Sequence, residues 1–313
     1  MQLLIPFAST LAEGCVHTIG DLQLPALTRL LARLAPAERL GSDESSLTPP
    51  HERALAQALG WQAGDGCLPW AARLARQDGI ADVDGRAWGL LTPVHWTVSA
   101  EGVALVDPDA LSLGAAESRA LFDAVRDLFD DREGWRLAYG APLRWYASHE
   151  LLRDLRCASI DRVIGRQVDA WMRPGPGLAF VRRLQSEVQM RLHDALVNTE
   201  REARGALAVN SFWLGGCGVA KPEPPGAIPV VDDRLRAAAL AQDWAAWAEA
   251  WRALDGGLFA ELLQRESRGE AVAITLCGER FAQRFEPAPG GGLWGRLTRG
   301  LRAPDVGSTL EAL

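Results

Sequence analysis

The chain has 313 residues, 48% hydrophobic and 23% charged, with a formal net charge of −7. That length and balance give a globular protein with a large core in one or two domains and exclude a disordered chain. The acidic balance argues against a sequence-independent nucleic-acid binder, and no apolar run approaches the ~20 residues of a membrane span.

The chain opens on "MQLLIPFASTLAEGC". It lacks a basic leader, its apolar stretch is short, and Glu13 sits beside the would-be cleavage site. "QLLIPFAS" therefore reads as a buried strand rather than a lipoprotein signal. In "LPALTRLLARL" Pro25 falls at a first helical position and leucines recur three and four apart, which predicts a helix. "LTPPHERALAQALGW" predicts another, with Thr48 as cap, Pro49 and Pro50 opening it and Glu52 closing a capping box. "CLPWAARLARQDG" predicts a third, ended by Gly79.

The middle is patterned differently. "AWGLLTPVHWTVS", "GVALVDP", "WRLAYG" and "PLRWYAS" are short strand-like runs around the amphipathic "GAAESRALFDAVRDLFDD". A long helix, "GLAFVRRLQSEVQMRLHDAL", then leads through Arg204-Gly205 to "AVNSFWLGG", a buried strand, with "IPVV" a further one. "DWAAWAEAWRALDGGLFAELLQRES" predicts one or two amphipathic helices. Its Trp244, Trp247 and Trp251 form a stripe suited to a core or an interface. "EAVAITLCG" predicts a last central strand. The expected fold class is α/β, with a mostly parallel central sheet that includes residues near 2–8, 209–215 and 271–276. The core comprises residues 1–85 and 177–285 and is split by an inserted α+β subdomain at 86–176. Residues 286–313 are expected to form a flexible tail with a short basic amphipathic piece, "LWGRLTRGLR".

Five cysteines, Cys15, Cys67, Cys157, Cys217 and Cys277, lie far apart with no C-x-x-C pair. This argues against a disulfide framework or a zinc ribbon and fits a reducing cytoplasm. The five histidines form no HxH, HxxxH or HExxH pattern, so no local metal motif exists. His51 and His95 stand out only for following Thr-Pro. Lys221 is the only lysine; GC-rich coding accounts for such arginine usage, and anion binding would also use it. "GGCG" after a strand offers backbone N–H groups to an anion, or is a tight turn.

Asn198, Arg201, Arg204-Gly205, Asn210 and "FWLGGCG" follow one another in an order and spacing that resemble the archaeal-type cofactor-independent phosphoglycerate mutases, of the alkaline-phosphatase-like superfamily. "LPALTRLLARL" is similar to the helix after that family's first strand, and "RLAYGAPLRWYAS" to its arginine-bearing insertion strand. The chain resembles still more a bacterial group of such proteins, the RpfE-type regulatory proteins. The family's metal ligands have no counterpart: "LLIPFAS" ends without an Asp, and "AQDWAAWAEAW" and "ITLCGERF" carry no His. Only Ser42-Asp43 is similar to the nucleophile segment, and Gly215 stands where the family has Arg. Two-metal phosphoryl transfer needs those ligands.

The resemblance therefore implies a catalytically degenerate, cytoplasmic regulatory or metabolite-binding protein with no catalytic residues, cofactor or metal site. The alternative is an active mutase or phosphatase with a rearranged site. A phosphorylated or carboxylate metabolite, or a protein, is the expected partner. By the same resemblance Arg144, Arg162, Arg166 and Arg201 face one cleft, where Asn198, Asn210, Gly216 and Gly218 complete an anion-binding set. The other reading pairs these arginines with Asp161, Asp169 and Glu200.

Overall fold

The computed structural model describes residues 1–41, 43–100, 102–175, 177–223, 226, 228–287 and 305–313. In chain order the elements begin with β1 (Gln2–Ile5), α1 (Glu13–Asp21), α2 (Pro25–Arg33), β2 (Ala35–Gly41) and α3 (Pro50–Ala58). Then come α4 (Trp70–Gln77), β3 (Ala87–Val94), β4 (Trp96–Ser99), β5 (Gly102–Leu105), α5 (Ala115–Val125), β6 (Arg136–Ala141) and β7 (Arg144–Ser148). Next are α6 (Ile160–Val163), α7 (Val168–Trp171), α8 (Leu178–His193), α9 (Leu196–Ala203) and β8 (Ser211–Val219). The remainder is β9 (Val230–Val231), α10 (Arg236–Leu240), α11 (Trp244–Leu254), α12 (Ala260–Ser267), β10 (Ala273–Cys277), β11 (Phe281–Glu286) and α13 (Val306–Glu311).

The chain divides into two compact units. The first comprises Met1–Ser45, Pro49–Gln62 and Glu223–Leu313; the second comprises Ser46–Thr48 and Ala63–Pro222. The first unit is built on a five-stranded sheet in the order β2-β11-β10-β1-β9. β1 runs parallel to β10 (Leu3 beside Ile274) and to β9, whereas β10–β11 and β11–β2 are antiparallel. The sheet is thus mixed rather than mostly parallel, because β11 returns directly from β10 and draws β2 in beside it.

Its core shows the expected periodicities. Leu27, Leu30 and Leu31 are the buried stripe of α2, whose Pro25 needs no N–H partner. The next two amides, of Ala26 and Leu27, donate at 3.1 and 2.8 Å to the buried carboxylate of Asp255, which meets the positive end of the helix. Asp255 opens a π-helical turn between α11 and α12. Trp247 and Trp251 of α11 are fully buried and meet edge to face, as the sequence stripe indicates. Thr48 does not cap α3: Pro49 holds the cap position, and the Thr48 hydroxyl accepts from Gly66 N instead. Residues 305–313 are no loose tail. They form α13, Leu310 and Leu313 join the first unit's core, and the amides of Arg280 and Phe281 donate to Leu313 O. The basic segment before it, like Ser42, lies outside the described residues.

The second unit carries an antiparallel sheet in the order β6-β7-β3-β8 and a separate β4–β5 hairpin. β8 is apolar as expected, but it does not join β1 and β10. It pairs antiparallel with β3, Val94 with Ser211 at one end and Ala87 with Val219 at the other. α8 lays Val181, Leu184, Val188 and Leu192 into the same core as Phe212 and Leu214. The contact division therefore does not follow the expected boundaries near residues 85 and 176: the pairing of β8 holds α8, α9 and β8 in the unit that contains β3.

Candidate functional site

All eight residues of the expected anion-binding set lie in the second unit. Arg201 is completely buried. Its Nε donates to Leu207 O at 2.8 Å and its Nη1 to Glu117 Oε2 at 2.6 Å, and its Nη2 donates to Leu111 O. Glu117 also pairs with Arg204, and these contacts, Arg204 foremost, hold its carboxyl below the usual range. Asn198, buried beside Arg201 on α9, donates to Leu192 O and Val209 O and accepts from Val209 N. Asn210 does the same for β4, accepting from Trp96 N at 2.7 Å and donating to Trp96 O at 2.9 Å. Asn198, Arg201 and Asn210 thus build a frame that ties α9 and the entry to β8 to α5, α8, β4 and the turn ending at Leu111.

The remaining arginines go elsewhere. Arg144 forks onto Asp78, at the C-terminal cap of α4, through two 2.8 Å bonds, and the Tyr146 hydroxyl donates to the same carboxylate at 2.6 Å. Arg162 is buried and donates to the Ser46 hydroxyl at 3.0 Å. Arg166 is exposed, with its guanidinium 5.6 Å from the Trp171 ring centroid. Among these contacts the four arginines share no partner. Of the acids expected to pair with them, Asp169 accepts from Arg182.

Gly216 and Gly218 lie within β8 rather than in a loop after it. Trp88 pairs with Gly218 and Leu90 with Gly215, so Gly216 and Cys217 together face Gly89 in a β-bulge. Gly216 has φ +62 and Gly218 φ +141, which only glycine adopts without strain. A Cβ on Gly216 would come within 2.8 Å of Ala71 N, and one on Gly218 within 3.0 Å of Pro69 Cβ. The glycines let the strand touch the first turn of α4.

What the unit does leave open is a pocket of about 100 Å³ beside edge strand β8. Trp171, Met172, Leu178, Val181, Trp213 and Leu214 form its apolar wall, and Arg156, Arg173, Cys157 and Gln185 are also at its lining. Two hydrogen bonds set the wall: Trp213 Nε1 donates to Ala158 O at 3.0 Å, and Gln185 Nε2 to Phe212 O at 3.2 Å. The Arg156 guanidinium reaches Asp65, whose carboxylate also accepts from Leu47 N and Thr48 N. Asp154 lies at the lining as well, so an apolar cavity suited to a small ring or branched chain is flanked by two arginines and one carboxylate. Sequence reading passed over Arg156 and Arg173, since neither lies in a recognisable motif. Among the described residues, no three His, Cys, Asp or Glu side chains gather where they could hold a metal ion, and no helix is long and apolar enough to cross a membrane.

No family model matches the sequence, and no curated protein does. Among solved structures the chain is similar to a cofactor-independent phosphoglycerate mutase from Thermoplasma acidophilum DSM 1728. The identity is 13% and the TM-score 0.37, over 92% of this chain and 89% of that one. It is similar also to the PH0037 protein from Pyrococcus horikoshii, at 12% identity and a TM-score of 0.38, over 92% of this chain and 87% of that one.

Proposed function

We propose that this protein works by binding: a catalytically degenerate, RpfE-type relative of the phosphoglycerate mutases that holds a small metabolite with an apolar body and a carboxylate or phosphate head. One observation carries the reading. In their described contacts Arg144, Arg162 and Arg201 share no hydrogen-bond partner, while one concave pocket brings Trp171 and Trp213 together with Arg156 and Arg173, beside Asp154. The absence of the resembled family's metal-binding Asp and His from the sequence adds to it, since phosphoryl transfer by paired metals needs such ligands.

Two measurements test the proposal together. Phenyl phosphate, a ring with an anionic head, should raise the thermal midpoint of the full chain. Leu178→Arg, which fills the pocket, should abolish the rise, and Arg173→Ala should weaken it. Incubation with 3-phosphoglycerate and manganese should give no 2-phosphoglycerate. Steady turnover would overturn the binding reading in favour of an active mutase, and an unchanged midpoint would remove the pocket from it.

A further inference from the structure

Three of the five cysteines, separated by 90 and 60 positions in sequence, come together in the second unit. Cys157 Sγ lies 3.5 Å from Cys217 Sγ, within thiol hydrogen-bond distance. Cys67 is near both: burial pushes its thiol up with Cys157 adding to the rise, and Cys67 in turn adds to the rise at Cys217. Cys217 is wholly buried, whereas Cys157 is half-buried and lines the apolar pocket. Cys217 is also held in place. It sits in the bulge between Gly216 and Gly218, which pack against α4, and a Cβ on Gly89 would approach its sulfur to 3.1 Å. A bulge re-aims the side chain it displaces, and here that side chain meets Cys157.

We propose that Cys157 and Cys217 are a reversible dithiol–disulfide pair, oxidised by a hydroperoxide that enters through the pocket. Cys157, the sulfur that reaches solvent, attacks the terminal peroxide oxygen. The O–O bond breaks, Cys157 becomes a sulfenic acid, and water or an alcohol leaves with the thiol proton. Cys217 sulfur then attacks Cys157 sulfur, the S–O bond breaks, and the hydroxyl leaves as water with the Cys217 proton. Two thiols lose two electrons and the peroxide gains them. The hydrogen bond to Cys157 and complete burial push the Cys217 thiol well up, so Cys217 is not the sulfur that meets the peroxide first, and its place beside Cys157 makes it the resolving sulfur.

A disulfide needs the sulfurs about 2.05 Å apart, so the pair must close by about 1.5 Å. Since Cys217 is fixed by the bulge, Cys157 makes that movement, and with it the Arg156–Ala158 wall of the pocket. The pair does not depend on what the pocket binds, so its test does not either.

The full chain is titrated with hydrogen peroxide, its remaining thiols are blocked with N-ethylmaleimide, and non-reduced peptides are mapped by mass spectrometry. The expected first product is a Cys157–Cys217 cross-link, reversed by dithiothreitol and still formed in Cys67→Ser. In Cys217→Ala, dimedone should trap at least about tenfold more Cys157 sulfenic acid than in the parent. A Cys67–Cys157 link as the first product would overturn the assignment. So would accumulation of Cys157 sulfinic acid without a cross-link. If Cys217→Ala does not fold, the map of the parent protein decides alone.

Discussion

Arg201 and Arg144 are the same side chain put to the same use, one carboxylate apiece, in two regions of one unit. Arg201 is enclosed: its side chain is 1% exposed, and three elements meet on it through Glu117, Leu111 O and Leu207 O. Arg144 lies at the surface, its side chain 42% exposed, with Asp78 as its partner across to α4. The first is an internal strut whose charge has no route to water. The second is a clamp whose loss water repairs. Their difference shows why an arginine in a resembled motif does not by itself indicate a ligand: burial with satisfied bonds already accounts for Arg201.

The contrast can be broken most directly by removing the two guanidinium groups. Arg201→Ala takes the donor from Leu111 O and Leu207 O and empties a buried space, although Glu117 keeps Arg204, and should cost about 3–5 kcal/mol in urea unfolding. Arg144→Ala should cost about 1–2 kcal/mol, because solvent reaches the vacated site and Tyr146 still donates to Asp78. Equal losses would show that burial is not what separates the two regions. Between these lies Gly216→Ala, expected to cost about 2–3 kcal/mol, since the methyl group meets Ala71 N on a left-handed backbone. Gly205, with φ +76 but nothing within 4 Å, supplies the control. Gly205→Ala should cost about 1 kcal/mol from the backbone alone, so a matching cost at Gly216 would remove the close approach to α4.

The elements legible in the sequence were those whose burial repeats locally. The stripe of α2, the run of β1 and the tryptophans of α11 follow from spacing alone. β2 was not legible: "APAERLG" faces mostly outward on an edge, so no alternation marks it, and Pro36 reads as a loop. β8 was legible as a strand but not in its sheet, because only its pairing with β3, more than a hundred residues upstream, decides that. The same limit hid the site. Arg201 finds Glu117 at a separation of 84 residues and Cys157 finds Cys217 at 60. An odd cysteine count gave no hint of a pair, and "GGCG" reads alike as an anion loop and as a bulge until its partner strand is placed.

The smallest expected effect sharpens the comparison at its exposed end. The Asp78 carboxyl is held below its usual range, first by its hydrogen bonds with Arg144, with Tyr146 adding to it against the opposing pull of burial. The Tyr146 phenol is pushed far up by burial and by Asp78, so it stays protonated and takes no part in the acid range. A carboxyl that titrates lower folded than unfolded adds stability above its unfolded value, near pH 3.9, and loses it as pH falls through the folded value. The unfolding free energy of the parent minus that of Asp78→Asn should therefore be constant from about pH 7 to pH 5 and shrink below about pH 4. Glu117 also titrates low, but it is common to both proteins and cancels in the difference. A difference that stays constant to pH 3, or that begins to shrink above pH 5, would mean that Arg144 does not hold Asp78 in solution. The exposed clamp would then be a contact without energetic weight, and the gap between Arg144 and Arg201 would be wider than their difference in burial implies.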